Sequence, residues 1–256
     1  MDKKIIAALL ACAAGFAVFF SLALWVAKGS PGPAHGSGVS NGRKVAYRDD
    51  SAAVSDTGAD VTGTSDQAVP AWSASDQAFV RVSDHAPDIR VNLKYAGRHN
   101  FTGKRIYDFR DAWLRCGTVK KLIKAQKALE AYGMGLMIWD AFRPAEAQEV
   151  LWTVCPNPLY VTDPDKGCSD HLRGNAVDVT LVDADGTELL MPTEFDNFTR
   201  LADRDYSDID NAFAVENVKL LEKVMKQSGF KSSPEEWWHF TDSKSYEPAP
   251  TFVPAS

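Results

Sequence analysis

The stretch Ser169-Asp170-His171-Leu172-Arg173-Gly174-Asn175-Ala176-Val177-Asp178-Val179-Thr180-Leu181-Val182 decides how this chain is read. Ala176 to Val182 is apolar and β-branched enough to be a strand, and that strand fixes the Asp178 carboxylate. Gly174 lets the backbone between His171 and Asp178 turn tightly. Beyond the strand, Asp183-Ala184-Asp185-Gly186 is a turn leading back into Leu189-Leu190-Met191, so a hairpin is expected there.

Upstream of this stretch, Leu136-Met137-Ile138-Trp139 reads as a buried strand that delivers Asp140-Ala141-Phe142-Arg143 to a turn. Pro144 then opens a short helix running to about Val154, and a polar loop fills Cys155 to Ser169. Thr118 is the expected cap of an earlier helix, in which Val119, Leu122, Ile123, Ala125, Leu129 and Tyr132 recur at helical spacing until Gly133 stops it. Phe79 to Val82 and Ile89 to Leu93 alternate like half-buried strands. Downstream, Val215, Val218, Leu221, Val224 and Met225 mark a second amphipathic helix ended by Gly229, and Glu235 to Phe240 are expected to return as a strand. The mixture implies an α+β fold, a small antiparallel sheet flanked by helices, without internal repeats.

Ile5 to Ala27 carries no charge and follows Asp2-Lys3-Lys4. At about 1.5 Å per residue it spans roughly the 30 Å of a bilayer core, and the positive-inside tendency puts everything after Lys28 outside the cytoplasm. Residues 1–27 are therefore expected to be a transmembrane signal-anchor in the bacterial inner or cytoplasmic membrane. The Gly-, Ser-, Asp- and Ala-rich residues 28–75 are expected to be a flexible linker, and 76–250 a single domain in the periplasm or cell-wall space. A net charge of −6 gives no basic footprint, which excludes nucleic acid as a partner. In an oxidising compartment Cys155 and Cys168 are expected to pair, leaving Cys116 over.

The chemistry concentrates on few residues. His171, Asp178 and His239 supply three of four positions around a tetrahedral zinc and leave one for water. Glu236, three residues before His239, is placed to exchange protons with that water. In a regular strand Glu236 and His239 face opposite ways, so the assignment requires a bend between them.

The pattern Ser169-x-His171-x-x-Gly174-x-Ala176-x-Asp178 followed by Glu236-x-x-His239 resembles the zinc motif of the D-alanyl-D-alanine metallopeptidases. Asn100-Phe101-Thr102-Gly103 with Tyr107, Asp140-Ala141-Phe142-Arg143-Pro144, Thr193-Glu194-Phe195-Asp196 and Trp237-Trp238 resemble the dipeptidase branch of the vancomycin-resistance type. The resemblance covers roughly Ala78 to Asp242. It implies one zinc on His171, Asp178 and His239, Glu236 as general base and then acid, and Arg143 as donor to the oxyanion. Asp140 orients neighbouring groups in this reading. Asp196 is the candidate for the ammonium of a free dipeptide, with Ser169 and Tyr95 also on the substrate. Hydrolysis of D-alanyl-D-alanine is the implied activity. A D,D-carboxypeptidase acting on peptidoglycan-derived peptides and a non-catalytic, zinc-stabilised wall-binding module remain alternatives.

Overall fold

The computed structural model describes residues 73–255, so the expected anchor and nearly all of the expected linker lie outside the described residues. Among the described residues no helix is long and apolar enough to cross a membrane.

The main sheet joins strands β2 (Arg90–Val91), β4 (Met134–Asp140), β5 (Ala176–Asp183), β7 (His239–Asp242) and β6 (Phe230–Ser232) in that spatial order. A separate pair is made by β1 (Phe79–Arg81) and β3 (Trp113–Arg115). The sheet is mixed where an antiparallel one was expected. β2 runs parallel to β4, and the chain between them supplies the crossover that a parallel pair needs, passing through β3 and helix α2 (Cys116–Glu130). A one-turn helix α1 (Val82–His85) follows β1 directly.

Helix α2 buries Val119, Leu122, Ala125 and Leu129 against β4, and α5 (Ala212–Gln227) packs on α2, β5 and β6. Val177, Val179 and Leu181 of β5 join the same core, where each fully buried aliphatic side chain contributes about 1.5–3 kcal/mol. Asn211 caps α5 by accepting from the amides of Phe213 and Ala214. Thr118 does not cap α2. The helix starts at Cys116, and the Thr118 hydroxyl donates to Asp242 Oδ2 at 2.9 Å, tying α2 to β7.

Two other expectations change. After the Asp183 turn the returning chain makes one bridge, Val182 with Glu188, and no strand; Pro192 lacks the amide that a longer ladder would need. Residues 235–238 form no strand: the chain bends at Glu235 and turns at Trp237 and Trp238, and β7 begins only at His239, because the Arg204 guanidinium takes the carbonyl oxygens of Glu236, Trp237 and His239.

The expected bridge between Cys155 and Cys168 is not formed. Cys168 keeps its thiol, with Sγ 3.4 Å from the carbonyl oxygen of Ser169. The loop between the two residues is closed by hydrogen bonds instead: Val161 N donates to Asn157 O, Gly167 N to Asp163 O, and Gln148 Nε2 to Thr162 O.

Candidate active site

A β-bulge builds the centre. Pairing between β4 and β5 shifts between Ile138 and Asp140, leaving Trp139 without a partner in the ladder. After the shift Asp140 stands opposite Asp178, and Asp178 stands opposite His239 on β7. Three chemistry-bearing side chains thus share one row across three strands. His171 joins them from α4 (Asp170–Arg173), capped by Ser169, whose Oγ accepts from His171 N at 3.3 Å. Gly174 ends α4 at φ 73°, turning the chain into β5 within two residues.

One ligand atom each from His171, Asp178 and His239 lies within 4.8 Å of the others. His171 Nε2 is 3.2 Å from His239 Nδ1 and 3.5 Å from Asp178 Oδ1, and His239 Nδ1 is 2.9 Å from that same oxygen. His171 Nδ1 donates to the Ala141 carbonyl at 2.7 Å, which leaves the Nε2 lone pair facing the other two groups. Two imidazole nitrogens and a carboxylate oxygen meeting at one point suit a zinc ion with a fourth position open. Burial opposes the Asp178 charge, but His171 and His239 hold its carboxyl well below the usual range.

The other expected residues surround the triad. Arg143, Tyr95, Ser169, Asp196 and Glu236 line one cavity of about 450 Å³ together with His171, Asp178 and His239. Burial works against the Arg143 charge, and Asp140 leads the neighbours that more than offset it. Asp140 Oδ2 accepts from Arg143 Nε at 3.0 Å and from Nη2 at 2.7 Å, while Oδ1 accepts from the Tyr107 hydroxyl at 2.7 Å. Burial pushes the Glu236 carboxyl well above its ordinary value, and the charges of Asp178 and Asp196 push the same way. Asp196 adopts φ 58°, a left-handed conformation that few side chains other than Asn and Asp enter readily. Its Oδ1 accepts from the Tyr95 hydroxyl at 3.0 Å, and its buried Oδ2 has no partner among the described residues.

Trp237 and Trp238 are buried in the core, Trp237 Nε1 donating to Thr193 Oγ1 at 2.9 Å. His85 and His99 are exposed.

Two residues of the site escape a sequence reading. Gln148 accepts from Arg143 Nη1 at 2.9 Å and donates to the Thr162 carbonyl at 2.8 Å, so it joins the arginine to the loop that lines the cavity. Its place on α3 (Ala145–Val154), close behind Arg143, is the only signal it leaves. Arg204, which bends the chain between Glu236 and His239, acts from far along the chain and leaves none.

A His-Asp-His set, with His171 and Asp178 buried and His239 partly so, beside the Glu236 carboxyl and a fixed guanidinium defines a mononuclear metallohydrolase centre. The family model for D-ala-D-ala dipeptidase matches residues 75–252. The D-alanyl-D-alanine dipeptidase of Escherichia coli (strain K12) is 39% identical over 154 residues, covering 60% of this chain and 79% of the relative. That of Enterococcus faecalis (strain ATCC 700802 / V583) is 30% identical over 185 residues, 64% of this chain and 91% of the relative. That of Streptomyces coelicolor is 32% identical over 187 residues, with 64% and 90% covered. The chain belongs to the D-Ala-D-Ala dipeptidase family.

Proposed function

We propose that this chain is a zinc metallopeptidase that hydrolyses D-alanyl-D-alanine to two molecules of D-alanine in the turnover of peptidoglycan. The observation that carries the reading is the convergence of His171, Asp178 and His239 on a cavity that also holds Glu236, Arg143 and the unpartnered Asp196 Oδ2. Bound zinc supplies a Lewis acid that polarises the peptide carbonyl and makes water acidic enough to lose a proton near neutral pH.

The protein's own groups do the rest. Glu236 takes a proton from the attacking water. The water oxygen bonds to the carbonyl carbon, and Arg143 donates to the oxygen on which negative charge develops. Glu236 then passes the proton to the departing nitrogen as the C–N bond breaks, which releases one D-alanine as an amine and the other as a carboxylate. Asp140, with Gln148, keeps the guanidinium from swinging away between turnovers. The unpartnered Asp196 Oδ2 is matched to the ammonium of a free dipeptide, with Tyr95 holding the other oxygen. Ser169 borders the same space and offers a hydroxyl to the substrate.

The uncharged run Ile5 to Ala27 supports a single-pass anchor in the inner or cytoplasmic membrane, with residues 28–75 as a linker to a catalytic domain on the outer side. Protease protection of the intact cell envelope tests that arrangement, since a domain degraded only after the inner membrane is broken lies on the wrong side.

The direct test incubates the zinc-loaded full chain with D-alanyl-D-alanine, L-alanyl-L-alanine and a pentapeptide ending in D-alanyl-D-alanine, and follows free alanine. Cleavage of the D,D-dipeptide alone is the expected result. Release of alanine from the pentapeptide would shift the reading to a D,D-carboxypeptidase. Zinc binding without release from any of the three would shift it to a wall-binding module.

A further inference from the structure

We propose that Thr241 is a positioning residue that orients the His239 imidazole for metal through a hydrogen-bonded relay ending on Asp170. The inference rests on the proposed role of the His171, Asp178 and His239 set as the zinc site.

His239 turns Nδ1 toward Asp178 and His171, at 2.9 and 3.2 Å, so Nδ1 is the nitrogen offered to the metal. A neutral imidazole that gives one lone pair to a metal carries its proton on the other nitrogen. Here that nitrogen is Nε2, and it lies 3.2 Å from Thr241 Oγ1. Thr241 Oγ1 lies in turn 3.4 Å from Asp170 Oδ2. A carboxylate only accepts, so the direction of the chain is fixed: Nε2–H donates to Oγ1, and the hydroxyl donates to Asp170.

The positions of these residues in the fold make the relay specific. Thr241 is two residues beyond His239 on β7, which puts both side chains on one face of the strand. Asp170 is the first residue of α4 and the immediate neighbour of His171. The relay therefore links the strand that carries one ligand to the helix that carries another. The two histidines differ in what fixes them. His171 is held by the carbonyl of Ala141, which no side-chain change removes, whereas His239 depends on a single hydroxyl.

Partners that orient a ligating histidine are typically worth about 10- to 100-fold in metal affinity. The test measures zinc affinity of the full chain by competition with a chromogenic chelator, for wild type, Thr241→Val, Thr241→Ser and Asp170→Asn, alongside thermal melting of the zinc-free proteins. Thr241→Val keeps the shape of the side chain and removes the hydroxyl. It is expected to weaken zinc binding about 10- to 100-fold with the zinc-free melting temperature unchanged. Thr241→Ser restores the wild-type value, and Asp170→Asn, which keeps an acceptor but loses the charge, falls between. Wild-type zinc affinity in Thr241→Val would overturn the relay. So would equal weakening in Thr241→Ser, which tracks the methyl group instead of the hydroxyl. If Thr241→Val fails to fold, Asp170→Asn decides alone: affinity equal to wild type overturns the proposal. Failure of the wild type itself to bind zinc at this set would instead sink the metallopeptidase reading.

Discussion

Asp140 on β4 stands directly opposite Asp178 on β5, two buried carboxylates in register on neighbouring strands. Like charges placed so are destabilising unless a cation lies with them. Arg143 is that cation, with Nη2 2.7 Å from Asp140 Oδ2 and 3.9 Å from Asp178 Oδ2. The same guanidinium thus stabilises the fold and faces the substrate cavity.

Removing it should show in both properties. Arg143→Ala is expected to destabilise the zinc-free protein by about 3–5 kcal/mol, the usual result of leaving a buried charge without its partner. In zinc-loaded protein it is expected to lower kcat by about 10²- to 10³-fold, as loss of one oxyanion donor does. Urea unfolding and steady-state turnover measure the two effects. Unfolding indistinguishable from wild type would mean that Asp140 and Asp178 find another counter-charge.

Glu236 and His171 should separate chemistry from metal binding. Glu236→Gln keeps the shape of the cavity and loses the proton carrier, so kcat is expected to fall about 10²- to 10⁴-fold while one zinc stays bound. His171→Ala removes a ligand, and zinc content itself is expected to fall. Metal analysis after gel filtration, paired with turnover, reads both; equal loss of zinc in the two variants would contradict the division of roles.

Gly174 is where the fold and the site constrain each other most tightly. Its φ of 73° is left-handed, and a Cβ there would collide with the Phe79 ring. That ring cannot move aside easily, because it stacks on Phe252 with centroids 3.9 Å apart. Gly174→Ala is therefore expected to cost about 1–3 kcal/mol for the left-handed backbone alone, with the collision adding to it. It should also displace His171 relative to Asp178. A lowered melting temperature together with weaker zinc binding is expected, and a variant that keeps both at wild-type values would show that the ring yields.

The metal set is legible in the sequence because its spacing is local. His171, Gly174 and Asp178 fall in one helix-turn-strand unit, and Glu236 precedes His239 by one turn of chain. The two long helices are legible for the same reason, through the period of Val119 to Leu129 and of Val218 to Met225. What the sequence hides depends on contacts between distant segments. The bend at 235–238 exists because Arg204 collects its carbonyls, and a strand is the natural reading of those residues without it. The parallel pairing of β2 with β4 follows from where a crossover lands, which no alternation of apolar residues encodes. The Cys155 and Cys168 pairing failed as an expectation because compartment alone says nothing about whether two thiols meet.

Asp196 gives a dependence of stability on pH whose sign is fixed by its burial. Burial raises its carboxyl well above its ordinary value of 3.8, and the charge of Asp178 adds to the rise, while the Tyr95 hydroxyl opposes it. A carboxyl with a raised folded-state value binds more protons in the folded than in the unfolded chain once pH passes the unfolded value. Stability therefore falls with rising pH from about 4 up to the folded value, and stays reduced above it. Asp196→Asn has no such loss, so its melting temperature is expected to match wild type near pH 4 and exceed it at pH 7. The comparison belongs in zinc-free protein, where no bound cation offsets the charge. In loaded enzyme the same variant loses its charge-assisted bond to the substrate ammonium, worth about 1.5–3 kcal/mol, so kcat/KM for the dipeptide should drop about 10- to 100-fold. Stability gained and catalysis lost in one variant would mark Asp196 as a charge kept for the substrate. A variant less stable than wild type at pH 7 would mean that the buried oxygen has a partner in solution, and the ammonium assignment would fall with it.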